Sequence, residues 1–168
     1  MQKMPTFGGA WMDKQEFERR SLAMAQRLYR IAYAILYRDD DCKDAVSEAL
    51  LRAWVNRSAL RNPALFETWL ARILINIGRD MLKKRSMLRG RELNDAIPAR
   101  EPPDPALGAA LQSLELKYRL IITMHHIEGY SLKEITALLK LPLSTVKWRL
   151  HAGRRILRDR LTEGDDAQ

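Results

Sequence analysis

Cysteine is almost absent from this chain of 168 residues, and Cys42 stands alone. One thiol excludes an internal disulfide and fits a reducing compartment. No apolar run is long enough to cross a bilayer. Residues 1–11 carry Lys3 but lack the apolar core of a secretory signal. Glycine-rich phosphate loops and GxSxG elbows are missing. Histidine is scarce as well: His125, His126 and His151 have no cysteine or carboxylate neighbours at zinc-site spacing. His125 and His126 are adjacent on an apolar helix and cannot face the same way, so each reads as a satisfied or surface histidine. The absences together predict a cytoplasmic protein that is not an enzyme, with no metal, no cofactor and no small-molecule substrate.

What is abundant is positive charge. Lys and Arg number 29 against 21 Asp and Glu, a net charge of +8 with a pI near 9.9. Such a balance points to a polyanionic partner, nucleic acid before anionic membrane. The charge is dense in residues 130–161, which hold eight Lys/Arg and two Asp/Glu. There Ser131 and Glu134 have capping-box spacing, and Leu132, Ile135, Leu138 and Leu139 share a helical face. Lys140-Leu141-Pro142 breaks the pattern. A second helix follows, with Val146, Leu150, Gly153 and Leu157 on one face and Ser144, Lys147, Trp148 and His151 on the other. Two short helices, a tight turn and a basic outer face predict a helix-turn-helix that lays its second helix in a major groove. Lys140 stands where such turns often carry Gly, and a left-handed backbone there costs about 1 kcal/mol.

The rest of the chain also reads as helical. Residues 1–11 carry Pro5 and Gly8-Gly9 without periodicity and are expected to be loose. Met12 opens a helix-like run, so translation starting at Met1 and at Met12 are both open. Phe17, Leu22, Leu28, Ile31, Ala32, Ile35 and Leu36 form an apolar stripe, with Arg19, Arg20, Arg27 and Arg30 outside it. Asp39-Asp40-Asp41 ends that helix and starts another. The new helix has a core stripe of Val46, Ala49, Leu50, Ala53 and Trp54. Its second stripe, Asp44, Ser47, Glu48 and Leu51, suits either a solvated face or a docking surface. A polar loop, Asn56–Asn62, precedes Pro63 and a long helix whose Phe66, Trp69, Leu70, Ile73, Ile77 and Met81 face inward. Arg72, Asn76, Asp80 and Lys83, with Arg79 beside them, line another side, either as a solvated face or to hold unpaired bases. Four of the seven prolines fall in residues 86–105, an extended linker. Beyond it, Leu107, Leu111 and Leu114 predict a short helix and Leu116–Ile127 another, stopped at Glu128-Gly129. The expected organisation is all-α: loose residues 1–11, a helical domain 12–85, a linker 86–105, a helix-turn-helix domain 106–161 and an acidic tail 162–168. Two small domains on a linker are expected to move relative to each other.

Three stretches in this order carry a resemblance. EGYSLKEITALLKLPLSTVKWRLHAGRRIL resembles region 4.2 of the extracytoplasmic-function class of sigma factors, in the sigma-70 superfamily. DAVSEALLRAW at 44–54 resembles its region 2.2, and FETWLARILINIGRDMLKKR at 66–85 resembles regions 2.3 and 2.4. The resemblance implies a promoter-specificity subunit that recruits core RNA polymerase and helps melt promoter DNA in response to stress or another signal. It implies that Asp44, Ser47, Glu48 and Leu51 bind the clamp helices of the β′ subunit, and that the β flap of core polymerase is a further partner. It implies that Asn56, Arg57, Ser58, Arg61 and Asn62 capture a flipped base of the −10 element. Trp69, Arg72, Asn76, Arg79, Asp80 and Lys83 would contact the melted strand. Ser144, Thr145, Lys147, Trp148, Arg149, His151, Arg154 and Arg155 would read the −35 element. It further implies an anti-sigma factor partner, of a kind often anchored in the membrane.

The chain departs from the family pattern at Ser47 (usually Gln), Glu115 (Pro), Thr136 (Ala), Lys140 (Gly) and Trp148 (a small residue). Trp148 suits contact with a thymine methyl, a shift of the recognition helix or a protein contact. The alternative to the sigma reading is a stand-alone helix-turn-helix regulator, which binds duplex DNA tightly without polymerase.

Overall fold

The computed structural model describes residues 12–89 and 105–165, and all its regular elements there are helical. The expectations for a loose residue 1–11 segment, for most of the linker and for the last three residues lie outside the described residues.

Helix α1, Lys14–Leu36, starts at Asp13, whose side chain accepts from the Glu16 amide at 2.8 Å. It ends at Tyr37 in a left-handed backbone, φ 59°. Helix α2, Asp39–Val55, opens on the three aspartates, which the positive end of the helix dipole favours. A 3₁₀ turn at Arg57–Ala59 and another at Pro63–Leu65 lead to α3, Phe66–Arg89, and Asn62 caps the second turn through the Ala64 amide. The three helices enclose Leu28, Ile31, Ile35, Phe66, Leu70, Leu74 and Ile75. Small residues on α2 (Cys42, Ala45, Ala49 and Ala53, all fully buried) let it lie close to its neighbours. Phe17 closes one end, edge-on to Trp54 and Phe66 with ring centroids 5.2 and 5.5 Å away.

The second half contains α4, Pro105–Ser113, then α5, Leu116–Ile122, then α6, Leu132–Leu139, then α7, Leu143–Asp165. The capping box forms as the spacing requires: Ser131 N donates to Glu134 Oε2 at 2.8 Å, and Glu134 N donates to Ser131 Oγ at 3.2 Å. Gly129 takes the left-handed position after α5, φ 72°, and Lys140 takes it in the helix-turn-helix turn, φ 53°. Gly153 is required by close approach. A Cβ there would meet Ile122 Cδ1 at 2.8 Å and Tyr118 Cβ at 3.2 Å.

Several expectations need correction. Leu22 does not belong to the buried stripe; it is 79% exposed. Ser21, Met24 and Leu28 take the inward positions at i, i+3 and i+7, which rotates Leu22 outward. Helix α3 runs past residue 85 to Arg89, and α7 carries on to Asp165, into the expected tail. A π-helical turn, Thr123–Ile127, extends α5 where regular helix was expected. The halves do not stand apart either. Helix α1 packs on α5 and its π turn, α3 packs on α6, and one continuous core of buried residues includes both halves.

Leu28 is fully buried and Leu22 is not. Leu28→Ala therefore lowers unfolding free energy by about 2–5 kcal/mol. Leu22→Ala changes it by less than about 0.5 kcal/mol. Urea denaturation of the two variants measures both; equal losses would contradict the placement of α1.

Candidate nucleic-acid interface

Helix α7 is held by its inner face. Val146 is fully buried, Leu150 nearly so, and Gly153 lies against α5. This turns Ser144, Lys147, Trp148, His151, Arg154 and Arg155 outward, all exposed, while Thr145 and Arg149 sit half-buried on one flank. Trp148 is 60% exposed, and its ring stands 6.1 Å from that of Tyr118. Arg154 Nε donates to His126 Nε2 at 2.8 Å, which requires a neutral imidazole with its proton on Nδ1. Burial, then Arg154 and His125, holds His126 below its ordinary value, in keeping with that role. His125 Nδ1 is paired to the Tyr130 carbonyl at 2.9 Å. Both histidines are thus satisfied as expected.

The α2–α3 loop and the outer side of α3 form a second group. Ser58, Arg61 and Asn62 are exposed. Asn56 and Arg57 turn back instead: Asn56 Nδ2 donates to the Arg52 carbonyl at 2.8 Å, and Arg57 lies 3.9 Å over the Trp54 ring. Trp69 is half-buried beside Phe66, with ring centroids 6.3 Å apart. Asn76, Arg79, Asp80 and Lys83 are exposed. Arg72 is tied down, its Nη2 donating to the Ala137 carbonyl on α6 at 2.6 Å. The pKa of Arg79 is lowered by burial and by the nearby Arg149 of α7.

A third group lies on α2. Asp44, Ser47, Glu48 and Leu51 are all exposed, and Leu51 and Val55 follow each other one turn apart as bare apolar side chains. Glu48 pairs with Arg52 on the same helix. An acidic strip carrying exposed aliphatic residues has the character of a protein-binding face. Among the described residues no group of three or more His, Cys, Asp or Glu could hold a metal ion. No described helix is long and apolar enough to cross a membrane.

Sequence reasoning missed the residues that join the halves. Arg119 is buried; its Nε donates to the Ala34 carbonyl at 2.6 Å and its guanidinium lies 4.1 Å over the Tyr37 ring. Burial lowers its pKa, an effect that Tyr37 opposes. Glu128 is also buried, paired with Arg30 at 2.6 Å. A charged residue inside an apolar run was the one available signal for Arg119.

Comparison with known proteins follows the same division. The family Sigma-70 region 2 matches residues 22–87, and Sigma-70, region 4 matches residues 105–157. The chain is 37% identical over 153 residues to the ECF RNA polymerase sigma factor SigE of Mycolicibacterium smegmatis, across 83% of this chain and 59% of that protein. It thus spans less than two thirds of that relative. It is 30% identical over 157 residues to the ECF RNA polymerase sigma factor SigW of Bacillus subtilis, across 82% of this chain and 84% of that one. In fold it is similar to the sigma factor RpoE solved in complex with the anti-sigma factor NepR from Bartonella quintana. That likeness has a TM-score of 0.80 at 20% identity and covers 88% of this chain and 98% of that one.

The Arg154 contact makes His126 a reporter. Its depressed pKa means that the unfolded chain takes up the proton first as pH falls below 6.5, so stability declines there. Arg154→Ala removes one cause and leaves burial, so the His126 pKa rises part of the way toward 6.5. An NMR titration of the imidazole measures it, and an unchanged pKa would contradict the contact.

Proposed function

Because the chain belongs to the extracytoplasmic-function RNA polymerase sigma factors, we propose that it recruits core polymerase to −10/−35 promoters and helps open them. The observation that carries this reading is the order of the three surfaces along one chain. An acidic strip with bare leucine on α2 comes first, a polar and basic helix face on α3 follows, and an exposed basic recognition helix ends the series. Asp44, Ser47, Glu48 and Leu51 dock on the β′ clamp helices, and the second half meets the β flap. Lys147, Arg149, Arg154 and Arg155 supply phosphate and base contacts at −35, with Ser144, Thr145, Trp148 and His151 beside them. Asn76, Asp80 and the 56–62 loop receive unstacked bases at −10, and their capture offsets an unstacking cost of a few kcal/mol. The chain works in the cytoplasm and performs no chemistry of its own; the polymerase makes the RNA. The two functional divisions fall at residues 12–85 and 106–161.

An anti-sigma factor binds it, as the RpoE neighbour is in complex with the anti-sigma factor NepR, and membrane anchoring of that partner would link it to an external signal. The stand-alone regulator draws no support from relatives that are themselves sigma factors.

Run-off transcription on fragments of the source genome, with core polymerase and with or without this protein, tests the reading. New start sites are expected only with both present; a specific duplex shift by the protein alone, without new starts, would contradict it. Two variants divide the roles. Glu48→Lys is expected to weaken core polymerase binding about ten-fold, roughly 1.4 kcal/mol, while its exposed pair with Arg52 contributes little to stability. Equal loss of binding and stability would reject the docking role. Asn76→Ala slows open-complex formation while recruitment is kept, which permanganate footprinting on the promoter measures; unchanged melting would reject that assignment.

A further inference from the structure

We propose that Trp148 is a specificity-determining residue: its indole, steadied by Tyr118, packs on the C5-methyl of one thymine in the major groove of the duplex that α7 reads. This deepens the reading of α7 as the −35 contact and rests on it for the identity of that duplex.

The indole is placed for such a contact. Trp148 lies five residues after Leu143, where α7 begins, in the part of a recognition helix that meets base edges. Val146 and Leu150, two residues to either side, are buried. A two-residue step turns roughly 200° around a helix, so Trp148 points away from the core. Ser144, Thr145 and Ala152, one turn away, are too small to cover the ring, which is 60% exposed. Its orientation is nonetheless fixed. The indole stands 6.1 Å from the Tyr118 ring, at 54° to it. Tyr118 is itself buried, and α7 passes so near that a Cβ on Gly153 would lie 3.2 Å from Tyr118 Cβ. Lys117 Nζ lies 4.8 Å from the centroid of the same tyrosine ring. A ring pair of this kind orients the indole before DNA arrives, which removes an ordering cost from binding.

The surroundings select the occupant. Lys147 and Arg149 flank Trp148 in the chain, and Arg155 follows two turns on. A bare aromatic surface is therefore ringed by cations. An apolar protein partner would strip water from those charges without compensation, whereas a duplex supplies phosphates for them. Within the major groove the thymine methyl is the one apolar group that the four base pairs present, and the face of an indole can read nothing else there. Ser144, Lys147, Arg149 and His151 carry hydrogen-bonding groups and suit the polar edges beside it. Trp148 also stands where the family pattern has a small residue, so the methyl contact is this chain's own.

The test uses the full chain with core polymerase on a promoter mapped by run-off transcription. Each thymine of the −35 region is replaced singly by deoxyuridine, which removes one methyl and keeps the hydrogen-bonding edge. At one position, promoter binding by the wild type is expected to weaken about four-fold, the worth of one buried methyl. With Trp148→Ala the same replacement should have no effect, and with Trp148→Phe part of the effect should return. Loss of an exposed side chain leaves the fold intact, which circular dichroism checks. A methyl effect of equal size in the wild type and Trp148→Ala, or no position sensitive to its methyl, would overturn the inference, while specific start sites leave the sigma reading standing. If no new start sites appear, the same replacements are made in the duplex that the protein alone selects from a random pool. A methyl effect that depends on Trp148 there keeps the inference and removes the sigma reading; a pool without selection overturns both.

Discussion

A single buried carboxylate organises this molecule. Glu128 leaves water between α5 and α6, and among the described residues its charge is met by Arg30 and Arg27 of α1, 98 and 101 residues away in the chain. Burying an ion without such partners costs several kcal/mol, so the halves are bound to one register rather than merely touching. The neighbouring features fall into place around that constraint. The π turn ends α5 one residue before Glu128, and Gly129 then reverses the chain with a positive φ. Ser131 caps α6 two residues later. The helix-turn-helix therefore begins where the ion pair fixes it.

The same constraint sets which surfaces are available. The acidic strip of α2 lies open, with Leu51 and Val55 bare. The outer face of α7 is open too, whereas Arg72 is taken by the Ala137 carbonyl of α6. The exposed strip of α2 and the exposed face of α7 are thus two separate surfaces on one packed core.

Much of the local structure was legible in the chain. Ser131 and Glu134 announced the capping box, Pro142 the turn, and Val146 with Leu150 the inner face of α7, because each signal acts over three to seven residues. The exposed side of α2 was legible for the same reason. The register of the two halves was not. Arg27 and Arg30 differ in no local respect from Arg19 and Arg20, and Glu128 reads as the last residue before a glycine stop. Pairing over about a hundred residues leaves no periodic trace. Leu22 shows the opposite limit: an apolar residue counted into a stripe by type, although Met24 and Leu28 had already claimed the inward positions.

The most direct measurement is the distance between the halves. Cysteines at Lys84 on α3 and Arg158 on α7, both exposed, accept a donor–acceptor dye pair. Cys42 is fully buried, with burial pushing its thiol up to about 12, and stays unlabelled. High energy transfer in the free protein, lowered by Glu128→Gln, is the expected result. Transfer that is already low in the free protein would contradict the packing of α5 and α6 on α1 and α3.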